Sequence, residues 1–101
     1  MSPTPQFDPV IHEATRLQIC GILAAVEEAE FSTLRDTIGI ADSVKSKHLK
    51  TLADAGYVRL VKRGSDSRPR TWAALTRTGR AAFSGHVEEL QRLAALTARG
   101  E

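Results

Sequence analysis

The sequence lacks the features of a secreted, membrane-embedded or disulfide-stabilised protein. Cys20 is the only cysteine, so no internal disulfide can form, and a lone thiol is typical of a reducing compartment. No apolar run approaches the roughly 20 residues that are needed to span a membrane. The polar start MSPTPQFDP has no apolar segment of the kind that a signal peptide needs. We therefore expect a cytoplasmic protein without a membrane span.

Recognisable catalytic and metal-binding patterns are also missing. The sequence has no phosphate-binding glycine loop, no nucleophile elbow, and no acid pair near a histidine at a recognised spacing. His12, His48 and His86 are scattered along the chain, and none has a second ligand at zinc spacing. We interpret His48 as a packing residue and Cys20 as an inert buried thiol. The sequence thus predicts no enzyme activity, no metal site and no cofactor.

What the sequence does contain is an uneven distribution of charge. The net charge of the 101 residues is only +2. Residues 43–70 nevertheless hold eight Lys or Arg side chains against two acids, whereas the remainder holds six against ten. A basic segment within a small domain is the electrostatic pattern expected of a surface that binds a polyanion. Because such blocks also occur without a partner, the charge supports this interpretation but does not establish it.

The basic segment begins with a predicted amphipathic helix over residues 42–55, with Asp42 as its N-cap and Gly56 just past its end. The mainly apolar half of this helix carries Val44, His48, Leu49, Leu52, Ala53 and Ala55. The opposite half carries Ser43, Ser46, Lys47 and Lys50, with Asp54 at the far end. Such a face suits a DNA groove, with lysines for phosphates and serines for base edges, although it also describes an ordinary solvated face. Lys45 falls within the apolar half, where it could reach toward the rim, lower the stability or aim the helix differently.

The residues before this helix predict the start of the domain and a first helix. A single domain is predicted over residues 8–98, after a loose arm over 1–7. A first helix runs from Asp8 to about Val26, or is interrupted near His12–Ala14.

A second, short helix over Thr33–Ile38 leads into the basic segment. Ser32 is its predicted cap, and Gly39 ends it. The link from Gly39 to Ala41 is the three-residue turn between two crossed helices.

After the amphipathic helix, the apolar period changes from that of a helix to that of a strand. Residues 57–75 predict two strands joined by a loop rich in turn residues, which together form a wing. Val58 and Leu60 are expected to point inward, and Arg59 and Arg63 outward. A final helix is predicted over 77–97, capped by Thr76.

The segments HEATRLQICGIL, TLRDTIGIADSVKSKHLKTLADAGYV, SRPRTWAALT and TRTGRAAFSGHVEEL together resemble bacterial winged helix-turn-helix transcriptional regulators of the MarR/ArsR type. The chain is most similar to the short group of winged-helix DNA-binding domain proteins. The resemblance covers about residues 8–90, and SKHLKTLADAGYV followed by RPRTW is its most specific part. It implies a mainly α fold with a small β-hairpin wing (α+β), flanked by N- and C-terminal dimerisation helices.

The resemblance also implies roles for individual residues. The second helix of the helix-turn-helix unit would enter the major groove, and the wing would reach the minor groove or the backbone. The DNA-binding residues carried over by position are Ser43, Ser46, Lys47, Lys50, Lys62, Arg63, Arg68 and Arg70. The final helix has more apolar surface than a small domain covers, so we expect a homodimer. Its predicted interface residues are Val10, Ile11, Leu17, Phe83, Val87, Leu90, Leu93 and Ala94.

The sequence thus predicts a regulator of transcription that binds double-stranded DNA, acting as a homodimeric repressor on a pseudo-palindromic operator. One alternative is a winged-helix protein-interaction module that does not bind DNA. Another is a binder of single strands or RNA, which the scarcity of aromatic residues other than Tyr57 and Trp72 on the basic surface disfavours. A small-molecule effector could bind between the helices of a dimer, but no residue pattern identifies one.

Overall fold

The computed structural model describes residues 5–65 and 67–98, and these residues form four helices and a three-stranded antiparallel sheet. In chain order the elements are α1 (Ala14–Ala24), β1 (Ala29–Glu30), α2 (Phe31–Ile38), α3 (Asp42–Asp54), β2 (Val58–Ser65), β3 (Arg68–Leu75) and α4 (Arg77–Ala98). The predicted fold class, mainly α with a β-hairpin wing, is confirmed. None of the described helices is long and apolar enough to cross a membrane.

The core lies where α1, α2 and α3 pack against the base of the sheet. Its buried side chains include Ile11, Ile19, Cys20, Leu23, Leu34, Leu49 and Leu52 from the helical part, and Val58, Ala73 and Leu75 from the strands. The apolar half of α3 supplies Leu49 and Leu52, as its periodicity predicts. Removing these side chains from water is the main favourable contribution to folding, and it fixes which side of α3 remains outside.

The first helix starts later than the continuous helix that the sequence favours. α1 begins at Ala14, and the Glu13 carboxylate caps it by accepting from two N–H groups of its first turn at 3.0 and 2.9 Å. The Asp8 carboxylate caps only a separate preceding turn, where it accepts an N–H at 2.9 Å. The alternative with an interruption near His12–Ala14 is therefore correct, because two acidic caps each begin their own turn.

The end of the predicted loose arm is docked against α4. The Gln6 N–H donates to an α4 carbonyl at 3.0 Å. The Phe7 ring packs edge-on against His12 and His86, with ring centroids 5.2 and 5.4 Å apart. Residues 1–4 of the arm lie outside the described residues.

The turn between α2 and α3 has the predicted length. Gly39 ends α2 with a φ of 77°, a left-handed conformation that glycine adopts without strain. α2 begins at Phe31, two residues before the expected start, so Ser32 lies inside the helix and does not cap it. α3 ends at Asp54, and Asp42 is its first residue, not its N-cap.

The last helix begins where the sequence predicts, and it extends past the packed part of the protomer. Thr76 caps α4 by accepting the Gly79 N–H at 2.9 Å. A Cβ at Gly79 would lie 2.1 Å from the Tyr57 carbonyl oxygen, so only glycine permits this close contact with the base of the wing. α4 has 22 residues, which corresponds to about 33 Å. From residue 91 onward every described side chain is exposed, so the outer half of α4 projects from the protomer.

Candidate nucleic-acid interface

The four α3 residues predicted to face DNA share one exposed side of the helix. Ser43, Ser46, Lys47 and Lys50, which we call the α3 strip, lie within about 100° of its circumference. Lys50 forms an exposed ion pair with Asp54 at 2.9 Å. An exposed pair one turn apart contributes little stability, so the Lys50 amine can exchange this partner for a phosphate. The structure thus brings the four predicted residues together.

Of the alternatives that the sequence leaves open for Lys45, the structure excludes the one in which its side chain reaches the rim of α3. Its side chain is buried, and its Nζ donates to the Phe31 carbonyl oxygen and to the Asp42 carboxylate, both at 3.1 Å. The amine also lies 4.7 Å from the centroid of the Phe31 ring. The hydrogen bond from the Lys45 amine holds the pKa of the Asp42 carboxyl below its usual value. The buried cation therefore has partners, and it holds the first turn of α3 against the first turn of α2.

His48 is a packing residue, as predicted. Its side chain is largely buried, and its Nδ1 lies 3.4 Å from the Glu13 carboxylate. The Arg16 guanidinium lies 3.1 Å from the same nitrogen. These contacts join α3 to the start of α1 on the side away from the α3 strip.

Two apolar residues that the pattern places inward lie on the surface. Val44 is 40% exposed and Leu60 is 41% exposed. Val44 lies in the first turn of α3, about 60° around the helix from Lys47. That angle is the signal in the sequence that identifies Val44 as a neighbour of the α3 strip. Val44 therefore lies outside the core although it belongs to the apolar half of α3, whereas Leu60 keeps its predicted side of β2 but lines an open groove there.

The register of the hairpin separates the side chains of the wing onto two faces. β2 and β3 pair from Val58 opposite Leu75 to Ser65 opposite Arg68. Because side chains alternate along a strand, the inner face carries Val58, Leu60, Lys62, Thr71, Ala73 and Leu75. The outer face carries Arg59, Val61, Arg63, Arg70, Trp72 and Ala74. The adjacent cations Lys62 and Arg63 therefore lie on opposite sides of the wing.

The inner face and α3 border an open groove. The apolar lining of this groove comes from Phe31, Leu49, Ala53 and Leu60, and the polar lining from Ser46, Lys50, Asp54, Lys62 and Thr71. Lys50 and Lys62 thus line the same groove from different elements. Lys62 is the wing cation that the tertiary structure brings together with the α3 strip.

On the outer face, two of the arginines contact carboxylates. The Arg63 Nη1 donates to the Glu28 carboxylate, and its guanidinium lies 5.7 Å from the centroid of the Trp72 ring. The Arg70 Nε lies 3.7 Å from the Glu30 carboxylate.

Strand alternation places both Arg63 and Arg70, which are predicted to contact phosphates, on the side of the wing away from α3. Arg68 is exposed at the far end of the hairpin, and residue 66 lies outside the described residues.

Two of the histidines that are far apart in the sequence are adjacent in the fold. The Nε2 atom of the buried His86 lies 3.0 Å from the Nδ1 of His12, and its own Nδ1 accepts the Asp8 N–H at 3.0 Å. Burial, together with the neighbouring His12, lowers the pKa of His86. Burial also raises the pKa of the Cys20 thiol to about 12, in agreement with an inert thiol. Within the described ranges, no group of three His, Cys, Asp or Glu residues is placed to hold a metal ion.

The residues predicted to form a dimer interface fall into two groups. Ile11 is fully buried in the protomer, and Val10, Leu17 and Phe83 pack against the same core. These four are therefore engaged by their own chain. Val87 and Leu90 are half-buried, and Leu93 and Ala94 are exposed. Exposed apolar surface of the predicted interface is thus concentrated on the outer half of α4.

Comparison with known proteins gives relatives for both the sequence and the fold. An uncharacterised protein of Methanocaldococcus jannaschii is 29% identical over 84 residues, which cover 83% of this chain and 91% of that protein. The structure of a transcriptional regulator homologue from Pyrococcus horikoshii OT3 matches with a TM-score of 0.80 at 23% identity, covering 85% of each chain. A transcriptional regulator of the MarR family from Enterococcus faecalis V583 matches with a TM-score of 0.74 at 20% identity, covering 90% of this chain and 81% of that one.

At these identities the solved structures establish a shared fold. A family model extends the likeness to sequence: residues 15–94 match the winged helix DNA-binding domain. The match runs from α1 through the helix-turn-helix and the wing into the outer half of α4. The chain therefore belongs to the winged helix DNA-binding domain family.

Proposed function

We propose that this protein is a homodimeric transcriptional repressor that binds double-stranded DNA, with α3 in the major groove and the wing against the adjacent minor groove or backbone. The observation that carries the proposal is the α3 strip, which is exposed and whose Ser46 and Lys50 line the same groove as Lys62 of the wing. A helix that is held by its apolar half and offers hydroxyls and lysines on the other half has the form of a recognition helix.

Some residues of the interface would contact the DNA backbone, and others would contact the bases. Lys47, Lys50 and Lys62 would contact phosphates, as would Arg68 at the end of the wing. Ser43 and Ser46 are short enough to approach base edges from the first turns of α3. The guanidinium groups of Arg63 and Arg70, which are also predicted contacts, already have carboxylate partners.

Val44 adds an apolar group to this polar surface. It is exposed in the first turn of α3, where the residues of a recognition helix reach base edges. An isopropyl group there is complementary to the 5-methyl group of thymine, which is the only apolar feature of the major-groove edges. We therefore assign to Val44 a contact with a thymine in each half-site.

The dimer would form through the outer half of α4. Leu93 and Leu96 are exposed there, with no described part of the protomer to cover them. Two copies paired along this surface would place their α3 helices in successive major grooves, about 34–36 Å apart, and would read a pseudo-palindrome.

Selection of bound sequences from a random pool of duplex DNA tests the proposal directly. We expect enrichment of two inverted half-sites with a centre-to-centre spacing of about one helical turn. Retention of single-stranded pools, or of no pool at all, would contradict the proposal. In the latter case a protein-interaction module would become the better description.

A further inference from the structure

The direction of the wing relative to α3 cannot be set by the hairpin alone. The strand order is β1-β3-β2, so β2 is an edge strand with a neighbour on one side only. Paired eight-residue strands form a twisted ribbon of marginal stability when nothing supports them. Toward its far end, the inner face carries Lys62 and Thr71 across an open groove. Support for this part of the wing therefore has to come from the outer face.

Arg63 provides such support by crossing the whole width of the sheet. Its backbone belongs to β2, its guanidinium stacks over Trp72 of β3, and its Nη1 donates to Glu28, the residue before β1. A planar guanidinium suits both contacts at once, because it can stack on an aromatic ring while its edge binds a carboxylate.

Glu28 belongs to a segment that the rest of the protomer holds in place. The Arg80 guanidinium of α4 donates to the carbonyl oxygens of Ala24 and Val26, at 3.2 and 2.8 Å. Directly after Glu28, the buried Ala29 pairs with Ala73 of β3. The carboxylate that Arg63 reaches therefore lies between two constrained points of the chain.

A second pair on the same face has the same arrangement. Arg70 of β3 lies 3.7 Å from the carboxylate of Glu30, and Glu30 pairs with Trp72 in the register of β1 and β3. Each pair joins an arginine of the wing to a glutamate at the start of the helix-turn-helix unit. One exposed ion pair contributes little to folding, but two pairs around a stacked aromatic ring restrict the orientation of the wing.

We propose that Arg63 and Arg70 are positioning residues, which hold the wing at a defined angle to α3 through Glu28 and Glu30, and that they do not contact phosphate. The inference rests on the proposed DNA-binding function and changes the roles of two residues within that site. Their charges are compensated by carboxylates, and they lie on the face away from the α3 strip. Lys62, which is adjacent to Arg63 in sequence and lies on the opposite face, contacts phosphate instead.

The adjacent residues Lys62 and Arg63 provide a matched pair of variants. DNA affinity is measured over a range of salt concentrations with the selected operator. Lys62→Met should reduce the steepness of the salt dependence by about 0.9 in the log–log slope, the contribution of one phosphate contact. Arg63→Met should lower affinity by about fivefold, the upper range for an exposed pair, and leave the slope unchanged.

The glutamates provide a test in which the two roles predict opposite signs. If Arg63 acts through Glu28, then Glu28→Gln weakens binding by the same factor as Arg63→Met, and the double variant is no weaker than either single one. If Arg63 is a phosphate ligand that Glu28 restrains, Glu28→Gln tightens binding. Glu27→Gln, at an exposed neighbouring position, controls for removal of one negative charge and should not weaken binding.

The outcomes separate this inference from the function on which it rests. Tighter binding by Glu28→Gln, or a shallower salt slope for Arg63→Met, would overturn the positioning role and leave DNA binding intact. Failure of the wild-type protein to bind any duplex would overturn both. Thermal unfolding of each variant serves as the control that it is folded. Arg63→Lys, which keeps the charge without the planar group, should weaken binding if Arg63 positions the wing and preserve it if Arg63 binds phosphate.

Discussion

The exposed sides of α3 and α4 have opposite chemistry. On α3, Leu49 and Leu52 are completely buried, and the α3 strip that remains outside consists of hydroxyls and lysines. On α4, the last buried residue is His86, and beyond it the helix exposes Leu93 and Leu96, at 37% and 36%. α3 has buried its leucines within the protomer, whereas α4 extends past the surface that could cover its own.

The difference indicates two kinds of partner. A strip of serines and lysines is stable in water, so it suits a DNA partner that binds reversibly and with an affinity that depends on salt. A row of exposed leucines on a projecting helix is unfavourable in water and is expected to be covered permanently, here by a second copy. Dimerisation should therefore be coupled to stability, and DNA binding should not.

The largest effect is expected from a charge on the outer half of α4. Leu93→Glu would place a carboxylate in the dimer interface and raise the dimer dissociation constant by at least roughly 100-fold, as for loss of a central interface residue. Light scattering at increasing protein concentration measures this change. Gln91→Glu, on a different side of the same helix, is the matched control and should remain dimeric. If Leu93→Glu stays a soluble dimer, the α4 interface is wrong.

A smaller effect is expected from the α3 strip. Lys47→Ala should weaken operator binding by about tenfold and reduce the salt slope by about 0.9, because one phosphate contact is lost. The midpoint of thermal unfolding should barely change, since the Lys47 side chain is exposed and is not part of the core. Arg59→Ala removes an exposed cation from the outer face and should leave both the affinity and the slope as they are. An unchanged affinity for Lys47→Ala would remove the α3 strip from the interface.

A still smaller effect distinguishes the apolar part of the same surface. Replacing one thymine at a time by deoxyuridine removes a single methyl group from the operator. At the base that Val44 contacts, we expect a loss of about threefold to fivefold for the wild-type protein and none for Val44→Ala. Val26→Ala, which shortens an exposed valine after α1, should respond as the wild type does. Equal responses of wild type and Val44→Ala at every thymine would exclude the contact.

The smallest effect concerns the part of α4 that the protomer itself buries. Burial lowers the pKa of His86 below its ordinary value of 6.5. Below pH 6.5, His86 therefore binds a proton more readily in the unfolded chain than in the folded protein. The free energy of unfolding should therefore fall as the pH falls from about 6.5 through the lowered pKa, and this group should contribute no change above 6.5.

Urea unfolding at neutral and mildly acidic pH measures this loss. His86→Asn keeps a neutral acceptor near the position of Nδ1 and should show a smaller loss than the wild type. An equal loss in both proteins would assign the pH dependence to other groups.

Much of the fold could be predicted because it depends on neighbours in sequence. The helical period of α3, the change to strand alternation at Val58, Gly39 in the turn and Thr76 before α4 are local signals, and the structure confirms them. The side of α3 that carries the strip follows from the same periodicity. Local signals were weaker at the N-terminus, where Asp8 and Glu13 compete as caps for a first helix.

The contacts within the candidate site could not be predicted in the same way. Arg63 and Glu28 are 35 residues apart, and His12 and His86 are 74 apart. Nothing in the pattern around Lys45 indicates that the Phe31 carbonyl would be within 3.1 Å of its amine. The sequence correctly identifies cations in the wing, but it does not show which of them are already paired.

The sequence by itself determined the order of the elements, the polar strip of α3 and the apolar surplus of α4, because helix and strand periods are properties of adjacent residues. Only the tertiary structure decided that Val44 is exposed, that Lys45 is buried between α2 and α3, and that Arg63 belongs to the side of the wing opposite Lys62. Burial and pairing depend on which distant segments fold against each residue, and that information is not contained in the periodicity of any single element.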